Sequence, residues 1–343
     1  MKRVVCAALC ALLLLTGCSN SAGSERKKYQ ATFLTLFDTV TTIVGFAASE
    51  EEFFETAQSV HDELLIYHQL FDIYHEYEGI NNLKTVNDAA GTAPVTVDRR
   101  IIDLLIDCKE YHMATQGRVN VAMGGVLRLW HEARNDGIND PVNAYLPDET
   151  ALRKAAEHTS LDAVVIDESA STVLITDPLV RLDVGAVAKG WAVQQVAKHA
   201  PEGLLLSVGG NICATGAKDE NGTPWIVGVQ NPDNAEEYLH SIYVHAERGS
   251  VVTSGDYQRA YAVDGKVYHH IIDPDTLYPG TYWRSVTIVC ADSGAADALS
   301  TALFLLPLEE GKVLLPQFDA EAMWVDADGG IFMSAGFETL IRT

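Results

Sequence analysis

The chain has 343 residues, 48% of them hydrophobic, so it can bury a large core as one large domain or two closely packed ones. Its formal charge is −23, from 24 basic and 47 acidic residues. Such a surface repels nucleic acid and anionic lipid head groups, although solubility alone also explains the excess of acid. The composition therefore argues against a nucleic-acid-binding protein, and a membrane contact would depend on a lipid rather than on charge.

The first residues have the layout of a secretory signal, in which two basic residues precede an apolar run too short to span a bilayer. The run ends in Leu15-Thr16-Gly17-Cys18, and a polar stretch follows, which resembles the bacterial lipoprotein processing site. We expect residues 1–17 to be removed, Cys18 to carry a lipid, and residues 18–30 to form a tether before a folded domain at 31–343. An ordinary cleaved signal with a chance cysteine is the alternative.

Three cysteines remain after Cys18, namely Cys108, Cys213 and Cys290. Their odd number and wide spacing do not fit a disulfide framework, and no two of them have the spacing of a zinc finger. We expect them to be small core residues without a catalytic or metal-binding role.

The first half of the folded part predicts a strand pair followed by helices. Residues 31–47 are rich in Thr, Val, Phe and Ile and predict two strands with a turn at Asp38. Apolar residues at helical spacing predict a long amphipathic helix from Glu50 and a second over residues 98–115. A third helix is predicted to begin at Pro147-Asp148-Glu149, where acidic residues suit the first turn.

From residue 161 onward the sequence consists mainly of short β-rich runs at hairpin-like spacing, including one over residues 180–184. Only residues 186–199 and 293–306 are convincing helices in this half. The pattern predicts an α+β fold with mainly antiparallel sheet and packed helices rather than a doubly wound parallel sheet. Residues 131–147 predict an exposed loop or insertion, with a substrate-facing lid as the alternative.

The segment RLDVGAVAKGW, residues 181–191, combines an acid, two small residues and a lysine at a predicted strand-to-helix junction. Free N–H groups at a helix start suit a phosphate, and Gly185-Ala186 would let the backbone approach it closely. Lys189 lies about one turn into the helix and could reach the same anion. The alternative is a helix capped by Asp183, with Lys189 in solvent.

Two further segments could approach a ligand. Gly209-Gly210-Asn211 follows a predicted strand and would expose backbone and one amide, although it could equally be an ordinary turn. His269 and His270 alternate along a strand and so point to opposite faces, which argues against one shared metal. One of the two could act as a general base near neutral pH, or be a hydrogen-bonded, partly buried histidine.

A last cluster lies on the helix predicted over residues 293–306. Asp297 and Thr301 are four residues apart and share a helix face, with Ser300 beside them. A carboxylate with hydroxyl and carbonyl oxygens suits Mg²⁺ better than zinc. Asp and Thr one turn apart are also common on solvent-facing helices, so this spacing alone decides nothing.

Four segments in this order, LDVGAVAKGWA, SVGGNI, TSGDY with YHHIIDP, and ADALSTALF, resemble the FAD:protein FMN transferase family, the ApbE-like flavin transferases. The resemblance extends from about Phe33 to the C-terminus. It implies an ApbE-like, T-fold-like α+β core that binds FAD with Mg²⁺ on its pyrophosphate. It also implies that a threonine hydroxyl of an acceptor protein attacks the FMN-side phosphorus, which gives a phosphoester-linked FMN and releases AMP.

The resemblance also implies roles for individual residues. It makes His270 the candidate base that deprotonates the threonine, with Asp183 as a second catalytic residue. The implied FAD-binding residues are Phe37, Tyr74, Asn120, Val121, Ala122, Asp183, Lys189 and Ile271. The implied oxygen ligands of Mg²⁺ come from Ala186, through its carbonyl, and from Asp297, Ser300 and Thr301.

Three segments depart from the family pattern. Many relatives have Met-Gly-Thr where this chain has Phe37-Asp38-Thr39, which changes the kind of ring contact. RVNVAMGGVLRLW, residues 118–130, differs from the commoner Phe-Asp-Pro form. Leu277 stands where a glycine is frequent, and we expect it to alter only a turn.

The combined prediction is a lipid-anchored flavin transferase on the extracytoplasmic face of the cell membrane. Its expected acceptors are exported or membrane proteins, such as subunits resembling those of sodium-pumping or ferredoxin-linked redox complexes. An FAD pyrophosphatase that uses water as acceptor, or a non-catalytic flavin-binding lipoprotein, are the alternatives. A nutrient-binding lipoprotein is disfavoured because paired parallel βα units are missing from the pattern.

Overall fold

The computed structural model describes residues 26–343, so the predicted signal peptide and the lipidation site Cys18 lie outside the described residues. The first strand begins at Lys27, which places residues 27–30 in the fold rather than in the predicted tether. Across the described part of the chain, no helix is both long and apolar enough to cross a bilayer.

The secondary structure alternates short strands with helices along the whole described chain. The strands are β1 (Lys27–Leu36), β2 (Thr39–Ala47), β3 (Val95–Thr96), β4 (Val164–Asp167), β5 (Thr172–Ile175), β6 (Leu204–Val208), β7 (Asn211–Ala214), β8 (Trp225–Asn231), β9 (Asn234–Val244), β10 (Ser250–Gly255), β11 (Ala260–Val263), β12 (Lys266–His269), β13 (Ser285–Cys290), β14 (Glu321–Val325) and β15 (Ile331–Met333). The helices are α1 (Glu50–Phe71), α2 (Leu83–Asp88), α3 (Arg99–Ala114), α4 (Gly124–Asn139), α5 (Glu149–Ala156), α6 (Ala188–Ala197), α7 (Ser293–Phe304), α8 (Leu308–Leu314) and α9 (Ala335–Glu338).

Within residues 26–343 the main sheet has eight strands in the order β1-β2-β6-β7-β10-β13-β14-β15, and its neighbouring strands are antiparallel. Side chains alternate between its faces, so Val252 and Trp324 join a core under α1, α6 and α7. Val251 and Met323 point the other way and pack under the β8–β9 hairpin. The predicted α+β class with mainly antiparallel sheet is confirmed.

The three helices predicted in the first half are also confirmed. Each begins with a side chain that caps its first turn. Ser49 accepts the N–H of Glu52 at the start of α1, and Asp98 accepts the N–H of Arg100 before α3. Asp148 caps α5 in the same way. The buried residues of α3 are the predicted apolar stripe of Ile101, Ile102, Leu104, Leu105 and Cys108.

Two hairpin turns, including the one predicted at Asp38, have the backbone that their residues favour. Phe37 and Asp38 both have φ of 52° between β1 and β2, and Asp264 and Gly265 have φ of 50° and 79° between β11 and β12. Two consecutive left-handed residues characterise the tight turns whose twist matches antiparallel strands. All three cysteines of the described chain are unpaired and buried, as predicted.

The prediction of an exposed loop over residues 131–147 was wrong for its first half. Helix α4 continues to Asn139 because Trp130, Ala133 and Gly137 recur at helical spacing and are buried. The Asn and Asp residues that predicted a loop occupy the opposite, solvent-facing side of this helix. The two helices predicted after residue 161 are present as α6 and α7, but the short helices α8 and α9 were not predicted.

The strand predicted over residues 180–184 was likewise wrong, since the segment forms only a single bridge from Arg181 to Met123. It is extended but held by a side chain: the Asn87 amide accepts the N–H of Leu182 at 2.7 Å and donates to its carbonyl at 2.9 Å. The N–H of Asp183 donates to the Val121 carbonyl at 2.8 Å. These bonds fix the position of Asp183 at the beginning of the turn that leads into α6.

Candidate active site

The predicted site residues on α6 and α7 meet where these two helices cross. A Cβ added to Gly190 of α6 would lie 2.2 Å from the Ser293 carbonyl oxygen and 2.6 Å from the Asp297 Cβ. Only glycine therefore permits this approach. At this crossing, Asp297 in the middle of α7 lies against the first turn of α6.

Asp297 is 4% exposed and caps α6 from the neighbouring helix. Its Oδ2 accepts the Gly190 N–H at 2.9 Å and lies 3.7 Å from the Lys189 Nζ. Burial raises the pKa of Asp297, whereas Lys189, the Gly190 N–H and Asn211 favour its charged form. The alternative of an Asp183 cap was wrong, because the Asp183 carboxylate accepts the N–H of Gly185 instead, at 2.9 Å.

The other predicted metal-binding residues lie on α7 and just before α6 and differ in burial. Ser300 is fully buried; its hydroxyl donates to the Asp297 carbonyl at 2.9 Å and bonds Ser254 Oγ at 2.8 Å. Thr301 and Ala186 are partly exposed, on the next turn of α7 and just before α6. No group of three or more His, Cys, Asp or Glu that could hold a metal occurs within residues 26–343.

His270 is half-buried in the same region, and its Nδ1 atom is inaccessible to solvent and has no hydrogen-bond partner. Its pKa is lowered to about 3, first by burial and then by the charges of Arg259 and Lys189, with smaller contributions from His269 and Arg134. The imidazole is therefore neutral and beside three cations. His269 has both ring nitrogens engaged, with Nε2 bonded to the Gly280 carbonyl at 2.8 Å and Nδ1 accepting from Ile271 at 3.2 Å.

Tyr74 and His131 are hydrogen-bonded to each other, with the phenol oxygen 2.7 Å from Nδ1 of the histidine. Burial, and next the nearby Asp183, raise the pKa of Tyr74. Burial and Arg134 lower the pKa of His131, and both rings also lie within the electrostatic influence of Asp38 and Arg259. These charges and rings come from the β1–β2 turn, the segment that carries Asp183, α4 and the residue before β11, and the region that they share is here called the cleft.

Sequence reasoning missed the basic residues of this cleft. Arg134 and Arg259 make no ion pair anywhere in the described chain. Their elements pack tightly, since a Cβ on Gly137 of α4 would lie 2.7 Å from the Tyr261 ring of β11. His131 and Arg134 are three residues apart on α4 and so share a face, a signal that was available but hidden by the loop prediction.

The remaining predicted cofactor-binding residues have different positions. Phe37 sits in the β1–β2 turn, its ring edge-on to His68 with centroids 5.5 Å apart. The side chains of Val121, Ala122 and Ile271 are buried in the core, so a ligand contact there would come from backbone. Asn120 uses its side chain locally, bonding the Thr159 carbonyl and the Ala122 N–H at 2.9 Å each.

A comparison with protein families decides where this chain belongs, because a model of the ApbE family matches residues 37–324. The chain belongs to the ApbE family. An FAD:protein FMN transferase of Klebsiella pneumoniae (strain 342) is 31% identical over 289 residues, covering 80% of this chain and 86% of its own. One of Treponema pallidum (strain Nichols) is 34% identical over 278 residues, covering 76% of this chain and 75% of its own.

Solved structures agree with this membership. The crystal structure of the ApbE protein from Thermotoga maritima superposes with a TM-score of 0.80 at 28% identity, covering 92% of this chain and 100% of that one. The flavin transferase ApbE from Vibrio cholerae shares the fold, with a TM-score of 0.72 at 21% identity over 92% of this chain and 100% of its own. The family and fold predicted from the sequence are confirmed.

Proposed function

We propose that this ApbE-family protein transfers FMN from FAD to a threonine hydroxyl of an acceptor protein, depends on Mg²⁺, and releases AMP. The enzyme class, an FAD:protein FMN transferase, follows from its relatives, as the sequence predicted. The observation that supports the detailed reaction is the pair between Lys189 and the buried Asp297, which adjoins a neutral histidine and two unpaired arginines. Each part of this arrangement suits one need of the reaction.

The first need is to attract and hold a pyrophosphate. Lys189, Arg134 and Arg259 place positive charge in one cleft of a protein whose formal charge is −23. Arginines without acidic partners are ready to pair with phosphate oxygens, and the burial of Arg134 strengthens such a bond. A chain that otherwise repels anions can in this way bind FAD at one place.

The second need is to neutralise charge at the phosphorus that is attacked. The donor chemistry around Asp297 fits Mg²⁺, because a buried carboxylate lies with the Thr301 hydroxyl on α7, and the Ala186 carbonyl precedes the start of α6. Ser300 lies behind Asp297 and supports it through the Ser254 bond. When bound, the metal would act as a Lewis acid on the phosphate oxygens.

The third need is to remove a proton from the threonine. His270 is neutral and its Nδ1 is unpartnered, so its imidazole can accept the threonine Oγ proton. The threonine oxygen then bonds to the FMN-side phosphorus, the P–O bond to the AMP phosphate breaks, and AMP leaves with the bridging oxygen. FAD phosphates beside Arg259 and Lys189 would offset these two charges, which after burial contribute most to the low pKa of His270, and would so raise that pKa.

The location and the acceptor belong to the same proposal. We place the enzyme on the extracytoplasmic face of the membrane, anchored by a lipid on Cys18, because residues 1–18 have the lipoprotein layout. Exported or membrane proteins, such as subunits of redox complexes, are then the acceptors within reach. Labelling of cells with a radioactive fatty acid tests this: the wild-type protein should be labelled and a Cys18→Ser variant should not.

A transfer assay tests the reaction. Residues 19–343 are incubated with FAD, Mg²⁺ and a small acceptor domain that carries the threonine, and the intact mass of the acceptor is measured. We expect an FMN adduct with the wild-type enzyme, and none with Asp297→Ala, with His270→Ala or with an acceptor whose threonine is replaced by valine. Free FMN and AMP without labelling would indicate a pyrophosphatase, and FAD binding without turnover a flavin carrier.

A further inference from the structure

The nearly buried carboxylate of Asp72 is linked by hydrogen bonds to two residues of the proposed flavin site. The link is direct to Tyr74 and runs through other side chains to Phe37. Asp72 follows the last residue of α1, and its side chain is 5% exposed. Its Oδ1 accepts the N–H of Tyr74 at 2.6 Å and that of His75 at 3.1 Å. These two bonds fix the backbone of the turn from which the Tyr74 ring enters the cleft.

The other oxygen of Asp72 begins a chain of hydrogen bonds that ends at Phe37. Oδ2 accepts the Tyr77 hydroxyl at 2.8 Å, and the Tyr77 oxygen lies 3.4 Å from Nε2 of His68. Nδ1 of His68 accepts the N–H of Phe37 at 3.2 Å. Because Nδ1 is an acceptor, the ring proton sits on Nε2 and points to Tyr77, whose own proton points to Asp72.

Each member of this chain has the charge state that the direction of the bonds requires. Burial raises the pKa of Asp72, but the hydrogen bonds from Tyr74, Tyr77 and His75 outweigh it, so the pKa is lower than usual and the group is ionised. Burial lowers the pKa of His68, against the opposing charges of Asp72 and Asp38, and keeps the imidazole neutral.

The Phe37 turn needs such support. Phe37 and Asp38 have φ of 52°, a left-handed conformation that residues other than glycine adopt at a cost. On the far side, a Cβ on Gly209 would lie 2.7 Å from the Thr39 hydroxyl oxygen, so the turn is wedged between the β6–β7 corner and His68. The Phe37 N–H bond to His68 therefore sets how far the turn reaches into the cleft.

We propose that Asp72 is a positioning residue that sets the spacing between Phe37 and Tyr74, the two aromatic residues proposed to contact the flavin ring. The inference rests on the proposed function, since the two rings matter only if a flavin lies between them. A purely structural role for Asp72 is less favoured, because the end of α1 has another anchor: the Asn82 amide donates to the carbonyls of Gln69 and His75 at 3.2 and 2.8 Å.

The test compares ligands that use different parts of the site. Affinities for FAD and FMN are measured by quenching of flavin fluorescence, and the affinity for AMP by calorimetry, with wild type, Tyr77→Phe and Asp72→Asn. We expect both variants to bind FAD and FMN about tenfold more weakly, since one charge-assisted bond is lost, with unchanged AMP affinity. His75→Ala is the matched control, because His75 contacts the same Oδ2 at 2.9 Å but is largely exposed; its affinities should stay within about twofold.

The outcomes separate this inference from the proposed function. If the wild-type protein labels an acceptor but Tyr77→Phe binds FMN unchanged, the inference is overturned and the function stands. Equal losses for FMN and AMP would show that Asp72 only stabilises the fold and would also overturn it. A wild-type protein that binds no FAD overturns both. If Asp72→Asn fails to fold, Tyr77→Phe alone decides, since it removes a single hydroxyl.

Discussion

Lys189 and Asp297 face each other from two crossing helices, with Nζ 3.7 Å from Oδ2, and the same carboxylate oxygen caps α6 through the Gly190 N–H at 2.9 Å. One buried acid therefore stabilises a helix start and holds a cation at the proposed pyrophosphate site. Because one side chain has both roles, substitutions at Asp297 that keep its oxygen but remove its charge should separate the helix cap from the binding of the cation.

Asp297→Asn should keep the helix cap and lose the reaction. An amide oxygen can still accept the Gly190 N–H, but the variant has no charge to hold Mg²⁺ or Lys189. We expect transfer to fall at least about a hundredfold with a small change in melting temperature. Asp297→Ala removes the cap as well and should destabilise the protein by about 2 kcal/mol more than Asn, measured by urea unfolding. Transfer by Asp297→Asn at the wild-type rate would contradict the proposed role.

Gly190→Ala should be among the most damaging single-methyl changes in the protein. The added Cβ would lie 2.2 Å from the Ser293 backbone oxygen, which cannot move aside as a flexible side chain could. We expect a loss of about 3 kcal/mol in the free energy of unfolding, together with loss of transfer. Gly185→Ala is the control, since a Cβ there meets only the Asp183 carboxylate at 3.1 Å. Similar costs for the two variants would show that the helix crossing can relax.

Acid should destabilise the protein through His270. Its pKa is about 3 in the folded state against 6.5 for the free side chain, so the unfolded chain binds a proton that the native protein excludes. Stability therefore rises with pH across this window and falls as the pH drops from about 6.5, by up to about 1.4 kcal/mol per pH unit for one such group. His270→Gln should flatten the slope of unfolding free energy against pH, measured by urea titrations between pH 4 and 8. An unchanged slope would assign the effect to His68, His131 or His269, whose pKa values are also lowered by burial.

The two unpaired arginines should contribute to FAD binding rather than to folding. Arg134→Gln and Arg259→Gln should each raise the KM for FAD about tenfold, and they should weaken its dependence on salt, because fewer charges then attract the pyrophosphate. Arg153→Gln is a matched control, since that exposed arginine of α5 pairs with Glu149 one turn earlier on its own helix. If KM changes equally in the control, general charge and not the cleft attracts FAD.

The sequence predicted those parts of the fold and site that depend on local patterns. The helix starts near Asp98 and Asp148 and the turn at Asp38 follow from short-range rules, and all three formed as expected. The basic side of the cleft was missed because polar residues on the outer face of α4 concealed its helical period. The Asp297 cap of α6 was missed for a different reason: it joins residues far apart in the chain, and only the close approach at Gly190 makes it possible.

Leu277 offers a test of how this chain tolerates its departure from the family pattern. It has φ of 64°, which explains why a glycine is frequent there, yet its side chain is 9% exposed and packs beside Trp130. Leu277→Gly loses this packing but relieves a strain of about 1 kcal/mol, whereas Leu277→Ala loses the packing and keeps the strain. We therefore expect the alanine variant to be less stable than the glycine variant by about 1 kcal/mol, the reverse of the usual order, measured by urea unfolding.

The usual order would mean that the turn leaves the left-handed region when the leucine is removed. The Trp130 Nε1 bond to the Leu277 carbonyl, at 2.9 Å, opposes that rearrangement.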